Sequence, residues 1–177
     1  MGAGMLVDPQ GIYADTASNR LFVTASNGTF QFSLWSGELL NAVGVYSGLH
    51  IAKHQSGNML FAVNYSSNFF GGLIPGNDSW YTGAILPDTS TRANFGGYGT
   101  LFGCTVGTTW KEYSAPTWGG SATNTRNITL TGGTYTGQIA MSAAADYHLV
   151  AGGTNGSVGI VYKTALGNSW VNTSLTT

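Results

Sequence analysis

The chain has 177 residues, 42% of them hydrophobic, which is enough to build one sizeable core. Charged residues make up only 7%, and the net charge is −1 from six basic and seven acidic residues scattered singly; ordinary soluble domains carry about 25%. That balance leaves no electrostatic footprint for nucleic acid and no polybasic or amphipathic membrane anchor, and no apolar run nears the roughly 18 residues of a spanning helix.

The opening stretch, MGAGMLVDPQ, lacks a basic region followed by a long apolar one, so no signal peptide is expected. A phrase then begins that recurs along the chain. Ile12 to Ser26 reads IYADTASNRLFVTAS, Ile51 to Asn64 reads IAKHQSGNMLFAVN, and Ile139 to Gly152 reads IAMSAAADYHLVAG. Each is an apolar stretch, a polar turn and a hydrophobic stretch. A blurred copy places Leu101-Phe102-Gly103-Cys104 in the hydrophobic slot. The anchors Leu21, Leu60, Leu101 and Leu149 stand 39, 41 and 48 residues apart. Short strands at a period of about 40 to 50 residues predict propeller blades.

In the first repeat, Gly11–Ala14, Leu21–Ala25, Thr29–Leu34 and Glu38–Val43 read as four strands, with Asn27-Gly28 as the tight hairpin. The second repeat turns at His54–Asn58, continues through Met59–Val63, and carries a loop with Tyr65, Phe69 and Phe70. The third is the least regular, and Ser114–Thr136 reads as a long loop plus a strand over Arg126–Leu130. The fourth repeats the hairpin at Asn155-Gly156. Nowhere do apolar residues hold a 3.6-residue period over three turns, so no significant helix is expected. The expected fold is all-β: about four antiparallel four-stranded propeller-like blades in one repeat domain, over 6–46, 47–87, 88–132 and 133–177. Four blades of about 43 residues either close on themselves, close with another copy, or leave sheet edges that neighbours must cover.

Cys104 stands alone, which excludes an internal disulfide and a cysteine metal site, and its apolar run predicts a buried thiol. The sequons at Asn27, Asn64, Asn77, Asn127, Asn155 and Asn172 read as turn chemistry first. No metal or nucleotide motif occurs, and no cofactor is expected. The three histidines, His50, His54 and His148, form no nucleophile–base arrangement. Glu38 and Glu112 read as solvent-facing single charges, as do Arg20 and Arg126, against a glycosidase reading that needs paired carboxylates.

Two resemblances carry family information. Gly107-Thr-Thr-Trp110 and Gly167-Asn-Ser-Trp170 are similar to the tail of the Asp-box of sialidase-type propellers, although Thr105 and Ala165 stand where its Asp belongs. The segment from His50 to Tyr65, HIAKHQSGNMLFAVNY, resembles the blade signature of lactonase and carboxymuconate-cyclase propellers, in which a His and a later Asn-Tyr flank a Ser-Gly turn and a hydrophobic strand. Members of that family are seven-bladed and about twice this length; the resemblance covers about 16 residues and carries no catalytic residue over.

Aromatic residues supply the remaining candidates, since they stack on sugars and anchor interfaces. Trp110 and Trp170 are expected in inter-blade packing. Trp118, in Ala-Pro-Thr-Trp-Gly-Gly, is expected to expose its ring, and Trp118, Tyr65, Phe69 and Phe70 are the candidate contacts to a ligand or neighbouring subunit. The expected function is a non-catalytic structural or binding role in an extracellular or virion-surface assembly of coat or decoration type, with other copies of the chain or neighbouring subunits as partners. A carbohydrate-binding propeller and a lactonase-like enzyme are the alternatives.

Overall fold

A computed structural model of the chain describes residues 4–43, 48–63, 68–76, 80–88, 95–130, 139–141, 147–150, 158–163 and 170–175. No helix occurs among them. The strands form four antiparallel sheets in which chain order is also spatial order. The first sheet is β1 (Pro9–Asp15), β2 (Arg20–Ala25), β3 (Gly28–Ser33) and β4 (Leu39–Val43). The second is β5 (Gly48–Lys53), β6 (Met59–Val63), β7 (Phe69–Leu73) and β8 (Trp80–Ile85). The third is β9 (Gly96–Tyr98), β10 (Leu101–Val106), β11 (Thr109–Ser114) and β12 (Thr123–Thr129). The fourth is β13 (Ile139–Met141), β14 (Tyr147–Val150), β15 (Val158–Lys163) and β16 (Trp170–Leu175).

The first strands of the sheets lie side by side, β1 against β5, β5 against β9 and β9 against β13. Each sheet therefore radiates from a common inner edge, and successive sheets stack face to face. These are propeller-like blades.

Alternation explains the stacking. Along β2, Phe22 turns to the second sheet, where it packs with Ile51, Met59 and Leu73, while Leu21, Val23 and Ala25 turn the other way with Phe30 and Phe32. In the second sheet, Ala52, Leu60, Phe70 and Ala84 face the third, meeting Phe95, Phe102, Cys104 and Tyr113. The aromatic rings interlock there: Phe70 lies 4.6 Å from Phe95 and 5.9 Å edge-on from Tyr113, centroid to centroid. Cys104 is buried in this layer as expected.

Register corrects the repeat phase. Leu21 faces away from the second sheet and Leu60 faces the third, so they are not equivalent; Phe22 is the counterpart of Leu60. A shift of one residue swaps the face of a strand, and between equivalent residues the first turn is one residue longer in sheet one (Ile12 to Leu21) than in sheet two (Ile51 to Met59). Leu101 lies in a second strand, β10, like Leu60 in β6 and Leu149 in β14. Trp110 belongs to β11 and Trp170 opens β16, so the Gly-x-Ser/Thr-Trp similarity does not mark equivalent blade positions.

The first hairpin turns at Ser26-Asn27, one residue earlier than Asn27-Gly28 suggests, because Ala25 pairs with Gly28. Asn27 is engaged elsewhere. Its Nδ2 donates to Met5 O at 2.9 Å and its Oδ1 accepts from Val7 N at 3.0 Å, which pins the N-terminal strap across the first sheet. Asn155-Gly156 lies outside the described residues.

Candidate functional site

Propeller-type sheets bring their inner strands to one axis, and a cavity of about 380 Å³ opens there. It is lined by Tyr13 from β1, Lys53 from β5 with His54 and Gln55 just beyond it, and Gly97 and Gly99 from β9 and the turn after it. Three successive sheets contribute to one mouth.

Lys53 Nζ lies 2.7 Å from Asp15 Oδ1, an ion pair that links the inner edges of the first two sheets. Asp15 is buried and also accepts from Ser18 Oγ at 2.5 Å. Burial acts to raise its pKa, but the Lys53 and Ser18 hydrogen bonds, the Lys53 charge and a bond from the Ala17 backbone outweigh it. Its carboxyl therefore sits below the ordinary carboxylate range.

His54 is buried and held at both ring nitrogens. Nδ1 lies 2.8 Å from Ser56 Oγ and accepts from Ser56 N at 3.1 Å, which leaves Nε2 to donate to Ala115 O at 2.7 Å. The ring also stacks 5.9 Å from Phe102 and tilts 5.7 Å from Trp118. It locks the second sheet to the third, as does Gln55, whose Nε2 donates to Pro116 O at 2.8 Å. His50, earlier on β5, has a buried Nδ1 with no hydrogen-bond partner among the described residues. Burial lowers its pKa, offset in part by a hydrogen bond to the Gln10 backbone.

The sequence candidates separate. Trp118 is half-buried: its indole lies over Gly72 and Gly83 of the second sheet and packs on the aromatic core. The loop that carries it is hydrogen-bonded to that sheet's outer strand, Gly119 N to Gly83 O at 2.7 Å and Ile85 N to Gly120 O at 2.8 Å. A Cβ at Gly72 or Gly83 would collide with the ring or with the core beneath it. The expectation of a free ring therefore fails; the Ser114–Ser121 loop is a clasp between sheets, and two glycines make room for its tryptophan. Phe70, placed in a loop by sequence, is wholly buried in β7, so it belongs to the core and presents no face to a ligand. Phe69 is half-buried with the Phe22 cluster. Tyr65 lies outside the described residues, as do the side chains of Trp170 and His148.

Glu112 is not a solvent-facing charge either. It is 1% exposed, pairs with Arg126 Nε at 3.2 Å and accepts from Thr125 Oγ1 at 2.9 Å. Trp110 is buried over Gly103, on the face of the third sheet opposite its aromatic layer. Glu38 is exposed just before β4. The two glutamates therefore lie on different sheets and make no catalytic pair. Among the described residues no group of three or more His, Cys, Asp and Glu could hold a metal ion.

A second cavity, about 400 Å³, lies on the first sheet's outer face, lined by Leu6, Pro9, Gln10, Gly11, Ile12, Leu21, Val23 and Phe32. Sequence reasoning missed it, because the alternation Ile12, Leu21, Phe32 reads as ordinary core.

No protein-family model matches the chain, and no curated protein sequence matches it. Solved structures do. A putative 6-phosphogluconolactonase from Bacteroides uniformis superposes with a TM-score of 0.67 at 11% identity over 95% of this chain and 55% of its own. Streptogramin B lyase gives 0.67 at 16% over 98% and 57%, and a nidogen/laminin complex gives 0.68 at 13% over 96% and 65%. At such identities the likeness concerns the fold, which is that of a β-propeller. The chain spans little more than half the length of these structures.

Proposed function

We propose that this chain is a non-catalytic structural and binding component of an assembly, held there through its first sheet. One observation carries the reading: among the described residues, five of the seven large hydrophobic side chains left exposed, Val7, Ile12, Trp35, Leu39 and Leu40, belong to the N-terminal strap and first sheet. Apolar exposure concentrated on one blade marks an interaction surface. The low charge, 7%, suits a surface covered by neighbours, and it is the support for an extracellular or virion-surface particle of coat or decoration type. The open sides of Trp118 and Phe69 are further proposed subunit contacts.

The axial mouth supports a second reading, a carbohydrate-binding propeller. Tyr13 offers a ring for stacking, and Lys53 and Gln55 offer donors within a cavity of about 380 Å³. A lactonase-like enzyme is the third, supported by the names of two structural neighbours and by His50 on an inner strand. Against it stands His54, whose ring nitrogens are both engaged. A glycan array and a lactone panel test the proposal together. The expected result is no turnover and no glycan signal. Glycan binding lost on Tyr13→Ala would replace it with the lectin reading, and turnover lost on His50→Ala with the enzyme.

A further inference from the structure

The hairpin between β2 and β3 sets an asparagine in front of a glycine that the turn requires. Gly28 stands opposite Ala25 at φ +143, a backbone angle that residues with a side chain rarely adopt. Asn27 is exposed, and both ends of its amide hold the N-terminal strap: Nδ2 donates to Met5 O at 2.9 Å and Oδ1 accepts from Val7 N at 3.0 Å. Ser26 adds two bonds to the same stretch, its N and Oγ donating to Val7 O at 2.8 and 2.7 Å. The strap in turn lays Met5 and Leu6 on the cluster of Val23, Phe30 and Phe32. The residue that latches this apolar cover is thus followed by one with no side chain.

That order of residues is chemically reactive. The backbone nitrogen after an asparagine attacks the side-chain carbonyl when it can reach it, and a side chain on the following residue hinders the approach; glycine has none. Among the described residues, Asn27 is the only asparagine that a glycine follows. We infer that Asn27 is a self-modification site that turns the strap from latched to released. Gly28 N bonds to Asn27 Cγ, the Cγ–Nδ2 bond breaks, and Nδ2 leaves as ammonia with the proton from Gly28 N. Water then opens the cyclic imide at either carbonyl, leaving aspartate or isoaspartate at position 27. While the strap is docked, both ends of the amide are engaged, and Cγ is not free to swing onto Gly28 N. The reaction therefore runs through the opened strap, and its rate follows the opening equilibrium. The product does not relatch. A carboxylate has no N–H for Met5 O and sets a negative oxygen against that carbonyl, so it cannot keep both partners. Isoaspartate also lengthens the backbone of a turn that Ala25 and Gly28 close. The conversion is one-way and uncovers the cluster beneath Met5 and Leu6. It does not depend on the assembly reading above.

Incubation of the intact chain in mildly alkaline buffer, which helps the attacking nitrogen lose its proton, tests this. Peptide mass spectrometry and enzymatic methylation of isoaspartate are the readouts. The wild type is expected to gain acid and isoaspartate at position 27, more slowly in buffer than in urea. Leu6→Ser withdraws an apolar anchor of the strap and should speed conversion at Asn27 roughly tenfold, with an unchanged strand signal in circular dichroism. Asn155-Gly156, outside the described residues, is the reference in the same digests, and its rate should not follow. Asn27→Asp installs the product directly. Amide exchange at Val7 and Ser26 should then rise several-fold, while exchange at Leu60 in the second sheet stays as in the wild type. No acid at position 27 in buffer after the urea-unfolded chain has converted overturns the inference. A Leu6→Ser rate equal to wild type, or a rise shared equally by both Asn-Gly pairs, overturns the control by the strap. Unchanged exchange at Val7 and Ser26 in Asn27→Asp overturns the release.

Discussion

Lys53 holds Asp15 across the boundary of the first two sheets, Nζ to Oδ1 at 2.7 Å, at the edge of the axial mouth. The pair is unequal: the lysine side chain is 32% exposed and the carboxylate 6%. Solvent screens the lysine end, so most of the loss on breaking the pair comes from the buried carboxylate left short of a donor. Lys53→Met is expected to destabilise the fold by roughly 1 to 2 kcal/mol. Asp15→Asn also weakens the bond from Ser18, so its cost is larger, roughly 1.5 to 3 kcal/mol. Urea unfolding followed by circular dichroism compares the two. Equal midpoints for both variants and the wild type would show that the pair contributes nothing.

Acid is expected to unfold the protein in two stages. Burial lowers the pKa of His50, so below the ordinary imidazole value of about 6.5 the unfolded chain binds more protons than the folded one. The stability linked to His50 is thus full above that value and is lost as the pH falls towards the lower folded pKa. Asp15 is also lowered, so its contribution is present above about 3.9 and disappears as the pH drops through its own folded pKa. His50→Gln should flatten the upper stage and leave the lower one. Denaturant midpoints measured between pH 7.5 and 3, in wild type and variant, read this directly, and a His50→Gln curve parallel to wild type throughout would refute it.

Gly103 is a packing glycine, not a turn glycine. Its missing Cβ makes the space in which the Trp110 ring lies. Gly103→Ala is expected to push the indole aside and cost about 1 to 3 kcal/mol. Gly107 is the contrast: it sits at φ +58 in the β10–β11 hairpin, with nothing within 4 Å of an added Cβ. Gly107→Ala should cost about 1 to 2 kcal/mol through backbone strain alone. Near-ultraviolet circular dichroism separates them, because only the first change displaces a tryptophan.

The architecture was legible in the sequence because strand and turn chemistry are local. The four strands of the first sheet fall within two residues of where alternation puts them, and the His54–Asn58 turn falls where Ser, Gly and Asn put it. What alternation does not reveal is which face of a strand meets which neighbour. Leu21 and Leu60 look like one anchor, yet a one-residue difference in turn length turns them to opposite sides. The seat of the Trp118 ring is hidden from sequence for a related reason. A Pro-Thr-Trp-Gly-Gly stretch signals a loop correctly, but the glycines that receive its ring, Gly72 and Gly83, are about 40 residues away in sequence. Glu112 follows the same logic, since its partner Arg126 becomes a neighbour only when β11 pairs with β12. The axial mouth draws on three sheets, so no single window of sequence contains it.

Trp118 joins the clasp to the second sheet, and its removal is expected to act on that joint first. Trp118→Ala withdraws a half-buried indole from Gly72, Gly83 and the His54 ring. Full burial would put the cost at about 3 to 5 kcal/mol; half-burial brings it to about 2 to 3 kcal/mol. The loop's backbone bonds to Gly83 and Ile85 should open with it, so amide exchange at Ile85 and Gly119 rises more than at Val23 in the first sheet. A double change, Trp118→Ala with Gly72→Ala, tests the fit: the added methyl group occupies space the ring has left, so it costs less than Gly72→Ala costs in the wild type. If the two changes instead add without coupling, Trp118 does not pack where the structure places it.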